Sequence, residues 1–72
     1  MPNPRDHKRF CDNEGRELYK QTDHYFYRKV LPDGEVLRTM ISMNDKEYSP
    51  TLFTEILKRQ LHCTMEYFNS RI

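Results

Sequence analysis

The sequence predicts a small α+β domain with the element order α-β-β-β-α, in which a three-stranded antiparallel sheet carries its helices on one face. Three observations support this fold class. The 72 residues are enough for one small domain. A Pro-Asp-Gly turn at residues 31–34 joins two runs that are rich in aromatic and β-branched residues. Residues 50–61 carry apolar side chains at helical spacing.

The N-terminal segment predicts a short helix. Residues 1–4 contain two prolines and no apolar periodicity, so we expect a disordered lead-in, followed by a single domain over residues 5–72. Residues 5–13 (RDHKRFCDN) are compatible with two helical turns, in which Phe10 and Cys11 supply the core contacts. Gly15 then fits the position just after a helix end.

Three strands follow this helix. Residues 16–21 (RELYKQ) alternate weakly, with Leu18 or Tyr19 facing a core, and residues 24–30 (HYFYRKV) have a clear strand composition. In the LPDG turn, Pro32 sets φ at the first central position and Gly34 tolerates a positive φ. Residues 35–42 (EVLRTMIS) complete the predicted hairpin as the third strand.

The C-terminal part predicts a longer helix and a final short turn. Ser49 can cap this helix, and Pro50 suits its first position, where the missing N–H has no cost. Its predicted apolar stripe consists of Leu52, Phe53, Ile56, Leu57 and Leu61. The helical spacing of apolar residues ends at residues 62–63. Thr64 can cap a last turn over residues 65–69 that returns Phe68 to the core.

Composition narrows the class of protein. Twelve Lys and Arg against eleven Asp and Glu leave a net charge of +1, so any RNA binding has to depend on a local cluster of cations. Cys11 and Cys63 lack zinc-site spacing and are expected to be reduced thiols. The three histidines are scattered, so we expect no metal or other cofactor. No apolar run suits a membrane span or a signal peptide, and we expect a cytoplasmic protein without a membrane partner.

The stretch QTDHYFYRK, residues 21–29, concentrates the groups that are capable of chemistry. Strand alternation divides its second half into one face with His24, Phe26 and Arg28 and another with Tyr25, Tyr27 and Lys29. Each face carries aromatic rings and a cation, so the pattern leaves open which of them covers the core. Asp23 points away from His24 unless the backbone departs from a strand at that point.

This stretch can be interpreted as a minimal ribonuclease site. RNA carries its own nucleophile, the 2′-hydroxyl, and histidine is the side chain whose ordinary pKa suits removal of that proton. His24 is the candidate general acid and base. The candidate phosphate-binding cations are Arg28, Lys29, Arg38 and Lys46, and Tyr25 and Tyr27 are the candidates for stacking on unpaired bases.

Two other interpretations stay open. Taken from the residues alone, His24 is also compatible with an incidental position on a structural strand. On the same scaffold, the open sheet face could serve a binding module without catalysis, either an RNA binder or a phage-type inhibitor that docks on a protein partner. The near-neutral charge and the carboxylate of Asp23 favour such a module.

The run "GRELYKQTDHYFYRKVLPDGEVLRTMIS...KEYSPTLFTEILKRQL" resembles the HicA family of toxin–antitoxin mRNA interferases, whose α-β-β-β-α fold is related to the double-stranded RNA-binding domain. The similarity lies in the order and spacing of Gly15, His24, the Pro-Asp-Gly turn, Lys46-Glu47 and residues 51–61. The family motif Gly-Ser-His is replaced here by Thr22-Asp23-His24. Ser42-Met43 stands where the family often has Pro-x-His.

The resemblance implies a function and a partner. It implies that His24 corresponds to the catalytic histidine of a metal-independent endoribonuclease that cleaves mRNA. It also implies that a HicB-like antitoxin binds over this site in a heteromeric complex. Asp23 then places a carboxylate beside the presumed catalytic group.

Overall fold

A computed structural model, which describes residues 2–44 and 46–72, confirms the predicted α-β-β-β-α order. Helix α1 spans Pro4–Glu14, and strands β1, β2 and β3 span Glu17–Gln21, His24–Val30 and Val36–Ser42. Helix α2 spans Pro50–Glu55 and continues as a π-helix over Ile56–Leu61, and helix α3 spans Met65–Ser70. The three strands form one antiparallel sheet in the order β1-β2-β3.

The helix begins earlier than the sequence predicts. The Asn3 side chain accepts a hydrogen bond from the Asp6 N–H at 2.9 Å, and the Asp6 carboxylate accepts one from the Asn3 N–H at 3.4 Å. This reciprocal capping makes Pro4 the first helical residue, a position that suits proline. The predicted lead-in through residue 4 is therefore too long, and Met1 lies outside the described residues.

The predicted hairpin is confirmed and sets the register of the sheet. The Gly34 N–H donates to the Leu31 carbonyl at 2.9 Å, and Gly34 has a φ of 93° that favours glycine. In β2 and β3, Arg28 lies opposite Arg38, and the same register continues to the ends of both strands. Between β1 and β2 the register shifts after Leu18, which marks a β-bulge.

The core lies between one face of the sheet and the helices. Its buried side chains are Phe10, Cys11, Tyr27, Ile41, Phe53, Ile56, Leu57, Leu61 and Phe68. Helix α1 and the π-helix pack on β3 and leave β1 uncovered. Of the two residues predicted to face a core, Leu18 lies opposite the buried Tyr27 on the core side but is 42% exposed, and Tyr19 contacts Phe26 on the other side. Leu52 was expected in the apolar stripe, but it lies half-exposed in the first turn of α2.

A buried histidine of α1 forms hydrogen bonds with β3 and with the loop before α2. The His7 side chain has no exposed surface. Its Nδ1 lies 2.9 Å from the Tyr48 hydroxyl, and its Nε2 lies 2.9 Å from Thr39 Oγ1. Thr39 donates its only hydroxyl proton to the side-chain oxygen of Gln60, so it accepts from the Nε2–H of His7. Nδ1 of His7 therefore accepts from the Tyr48 hydroxyl.

Burial of His7 predicts a loss of stability in acid. Desolvation, assisted by the nearby charge of Arg16, lowers the pKa of His7 from 6.5 to about 4. Between these values the unfolded chain binds more protons than the folded chain, so the free energy of unfolding decreases as pH falls from 6.5 towards 4. The shift corresponds to about 3 kcal/mol at most.

Urea denaturation of the wild type and of His7→Gln at pH 7 and at pH 4.5 measures this contribution. We expect the variant to be less stable at pH 7 and to lose less stability than the wild type on acidification, because it lacks the buried imidazole. His62→Gln, at an exposed position, is the matched control and should keep the wild-type pH dependence. Equal pH dependence in the wild type and His7→Gln would contradict the assignment.

Candidate functional site

The sheet face opposite the helices is called here the open face. From β2 and β3 it carries His24, Phe26, Arg28, Val30, Val36, Arg38, Met40 and Ser42, and Glu17, Tyr19 and Lys20 of β1 contact this set. The other face is identified as the core face because Tyr27 and Ile41 are buried against the helices. Residues that lie opposite each other in antiparallel strands share a face, so the register settles the ambiguity that the sequence left.

His24 stands at one end of the open face and is paired with its neighbour. The side chain is 31% exposed, and its Nδ1 lies 3.1 Å from Asp23 Oδ1. This differs from the expectation for a regular strand, because residues 22–23 form the turn that precedes β2. The Thr22 N–H donates to the His24 carbonyl at 2.9 Å and closes that turn.

The pairing orients the imidazole. Hydrogen bonds from His24 and then from Thr22 lower the pKa of the Asp23 carboxyl, so Asp23 is an anion that accepts the proton of Nδ1. No described residue forms a hydrogen bond with Nε2 of His24. A neutral imidazole held in this way presents the lone pair of Nε2 as a base.

Aromatic rings and cations surround Phe26 at the middle of the open face. The Phe26 ring centroid lies 6.4 Å from that of His24 and 6.3 Å from that of Tyr19. The Lys20 ammonium lies 5.3 Å from the Phe26 ring, and the Arg28 guanidinium lies 5.2 Å from the Tyr19 ring. Each distance is within the range of a cation–π contact, so these side chains form one continuous surface.

Two arginines face each other across the open face. Arg28 and Arg38 are directly opposite in the register of β2 and β3. The Glu17 carboxylate accepts from Arg28 Nε at 2.6 Å, which raises the pKa of Arg28 and lowers that of Glu17. Arg38 forms no salt bridge with any residue in the described ranges. Opposed like charges destabilise a sheet, and an anion between them would offset that cost.

Three of the predicted site residues lie on the core face instead. Tyr27 is 1% exposed, its hydroxyl donates to Asp12, and burial raises its pKa to about 12. Tyr25 packs against the core cluster, and the Lys29 ammonium lies 3.7 Å from the carboxylate of Glu14. The prediction that Tyr27 stacks on bases is therefore wrong, because its ring is buried. Strand alternation turns Tyr25 to the same side of the sheet, away from His24, where its ring is partly buried.

The aromatic residues of the open face are Phe26 and Tyr19, which the sequence interpretation did not assign to the site. Phe26 was detectable, since it alternates in phase with His24. Tyr19 and Lys20 both reach this face because of the bulge in β1, which the sequence does not reveal. Lys46 is exposed in the loop after β3, whose last residue, Ser42, lies opposite His24.

The pairing of Asp23 with His24 predicts a measurable titration. Replacing His24 by Ala removes the largest cause of the lowered Asp23 pKa, so that pKa should rise towards its ordinary value. Carbon-detected NMR of the side-chain carboxyls during a pH titration measures the change. His62→Ala is the control and should leave Asp23 unchanged. An unshifted Asp23 pKa in His24→Ala would show that the pair does not form in solution.

Over residues 2–44 and 46–72, no helix is both long enough and apolar enough to cross a membrane. In the same ranges, no three His, Cys, Asp or Glu side chains come together in a group that could hold a metal ion.

Comparison of the chain with protein-family models, with curated proteins and with solved structures finds no match. The resemblance to the HicA family therefore depends only on the order and spacing of Gly15, His24, the Pro-Asp-Gly turn, Lys46-Glu47 and residues 51–61.

Proposed function

We propose that the protein is a HicA-like endoribonuclease, the toxin of a toxin–antitoxin pair, which cleaves mRNA in the cytoplasm with His24 as general acid and base. The observation that carries this proposal is the orientation of His24. Its ring is partly exposed at the end of the open face, Nδ1 is held by Asp23, and Nε2 has no hydrogen-bond partner among residues 2–44 and 46–72. The cations of the same face supply the positive charge that an RNA backbone requires.

The reaction uses the 2′-hydroxyl of the RNA as nucleophile. Nε2 of His24 accepts the proton of that hydroxyl, and the 2′-oxygen forms a bond to the adjacent phosphorus. The bond from phosphorus to the 5′-oxygen of the next nucleotide breaks, and that oxygen leaves with a proton from water or from the imidazolium. The products are a 2′,3′-cyclic phosphate and a 5′-hydroxyl. Asp23 stabilises the imidazolium that forms during the step.

The rest of the open face binds the substrate in this proposal. Arg28 and Arg38 hold a phosphate between them, which offsets their mutual repulsion and the charge that develops during cleavage. Phe26 and Tyr19 provide rings on which unpaired bases stack. A single-stranded segment fits this arrangement better than a duplex, because only unpaired bases expose their faces.

The proposed role of His24 predicts a loss of catalysis when its side chain is removed. His24→Ala should lower the rate of cleavage of a fluorogenic RNA about 100-fold or more, since a positioned general base contributes about that much. The variant should also abolish growth arrest and RNA decay when it is expressed in a bacterium. His62→Ala is the matched control because it removes an exposed imidazole at the end of the π-helix.

A second substrate makes the same experiment more specific. An oligonucleotide with 2′-deoxyribose at the cleaved position should be inert, because it lacks the nucleophile. Equal cleavage by the wild type and His24→Ala would remove catalysis by this residue, and cleavage of the deoxy substrate would contradict the internal-nucleophile mechanism.

A further prediction concerns phosphate contacts. Arg38→Gln should weaken binding to single-stranded RNA and reduce the slope of log affinity against log salt by about 1, because one phosphate contact is lost. Fluorescence anisotropy at several salt concentrations measures both quantities. Lys58→Gln removes an exposed cation of the π-helix and should leave both unchanged. An identical loss in the two variants would indicate non-specific attraction.

A second function, protein docking without catalysis, is favoured by one observation. Met40 and Val30 are 52% and 62% exposed on the open face, which also carries the Glu17 carboxylate paired with Arg28 and, at its end, the Asp23 carboxylate paired with His24. Such a mixed apolar and charged surface suits a protein partner, including a HicB-like antitoxin that covers His24 in a heteromeric complex. RNA that is neither bound nor cleaved by the wild type would favour this function over the nuclease.

A further inference from the structure

A separate concave site lies on the opposite side of the sheet from the residues proposed to bind RNA. It has a volume of about 350 Å³ and lies between the end of α1, the end of β2 and the junction of the π-helix with α3. Its walls include Arg16, Lys29, Leu61, His62, Thr64 and Tyr67. No residue of the open face lines it. Its size is that of a small-molecule site.

Arg16 is the unusual residue of this cavity. Its side chain is 1% exposed, its Nε donates to Glu14 Oε1 at 2.5 Å, and its Nη2 donates to the Leu61 carbonyl at 2.9 Å. Nη1 is buried and has no hydrogen-bond partner within residues 2–44 and 46–72. A buried charged donor without an acceptor destabilises the fold. Nη1 of Arg16 therefore needs an acceptor that the described residues do not supply.

The charges around the cavity define the kind of acceptor. The Lys29 ammonium lies 3.7 Å from the same oxygen of Glu14 that accepts from Arg16. The two cations share one carboxylate, and the group therefore carries an excess of one positive charge. The Arg16 guanidinium also lies 5.6 Å from the Phe10 ring centroid, and the Lys29 side chain is 40% exposed, so part of this charge is already offset. A water molecule would satisfy Nη1 alone, whereas an oxyanion would satisfy Nη1 and offset the remaining charge.

The backbone at the rim of the cavity is also unusual. His62 has φ 52° and ψ 49°, a left-handed conformation that a residue with a side chain adopts at a cost. It directly follows the π-helix, and both features are enriched at functional sites. The strained residue brings the chain from Leu61, which accepts from Arg16, to Thr64, which caps α3.

We infer that this cavity binds a phosphate-type oxyanion through the free Nη1 of Arg16 and the ammonium of Lys29. The ligand class is a free phosphate or the phosphate group of a small phosphomonoester, since a cavity of about 350 Å³ admits a group of that size. This site is independent of the proposed nuclease function, because it shares no residue with His24 and its surroundings.

Titration of the RNA-free protein with inorganic phosphate at constant ionic strength tests the site. We expect saturable changes in the ¹H–¹⁵N spectrum at Arg16, Lys29 and residues 61–64, together with a rise in melting temperature, because the ligand binds only the folded state. Parallel titrations with phosphoserine and with acetate distinguish a phosphomonoester from a carboxylate. Acetate should bind more weakly, because it carries a single charge.

Variants assign the binding to the cavity. Lys29→Gln should lower the phosphate affinity at least about tenfold, since it removes a charged contact. Arg16→Lys keeps the charge but removes Nη1 and should have a similar effect, and its melting curve shows whether it folds. Lys58→Gln is the control and should bind as the wild type does.

The same data overturn the inference if phosphate moves only signals of the open face and Arg38→Gln abolishes binding. They also overturn it if no saturable change occurs, which would assign Nη1 to a bound water, or if Lys29→Gln binds as tightly as the wild type. None of these outcomes depends on cleavage of RNA, so the inference and the proposed nuclease function fail separately.

Discussion

The arrangement of the molecule depends on the burial of Tyr27. Its ring is in the core and its hydroxyl donates to Asp12 of α1, so β2 is fixed with one particular face against the helices. Side chains alternate along a strand, and a slip of one residue would exchange the two faces. The anchoring of this one ring therefore brings His24, Phe26 and Arg28 together on the open face and turns Tyr25 towards the core.

Polar groups are distributed very differently on the two sides of the sheet. On the core side, the imidazole of His7 has a partner at each ring nitrogen, as a buried group requires. On the open face, Arg28 and Arg38 oppose each other, and Nε2 of His24 has no partner among the described residues. Satisfied polar groups specify the fold, whereas Arg38 and Nε2 of His24, which lack such partners among the described residues, are available to a ligand. Arg16 departs from this division, because it is buried yet its Nη1 has no hydrogen-bond partner in the part of the chain that the structure describes.

The net charge of +1 is a sum over the whole chain and does not show that several cations are grouped on one face. Lys20, Arg28 and Arg38 converge on the open face, where Glu17 offsets one of them. A small domain can thus present a local positive surface to a phosphate backbone while its overall field stays weak. The aromatic rings between these cations add a contact that is independent of salt, so electrostatics and stacking contribute separately to the binding of a nucleic acid.

The sequence by itself determined the element order, the hairpin turn and the start of α2, because each depends on residues close together in the chain. Gly34 adopts its positive φ because glycine has no side chain to oppose it. The Ser49 hydroxyl accepts a hydrogen bond from the N–H of Leu52, three residues later in the chain. Only the tertiary structure decided which face of β2 is buried, that Asp23 turns back to His24, and that Arg16 lies in the interior. These outcomes depend on contacts between distant segments and on irregular backbone in a turn, a bulge and a π-helix, for which local composition carries no signal.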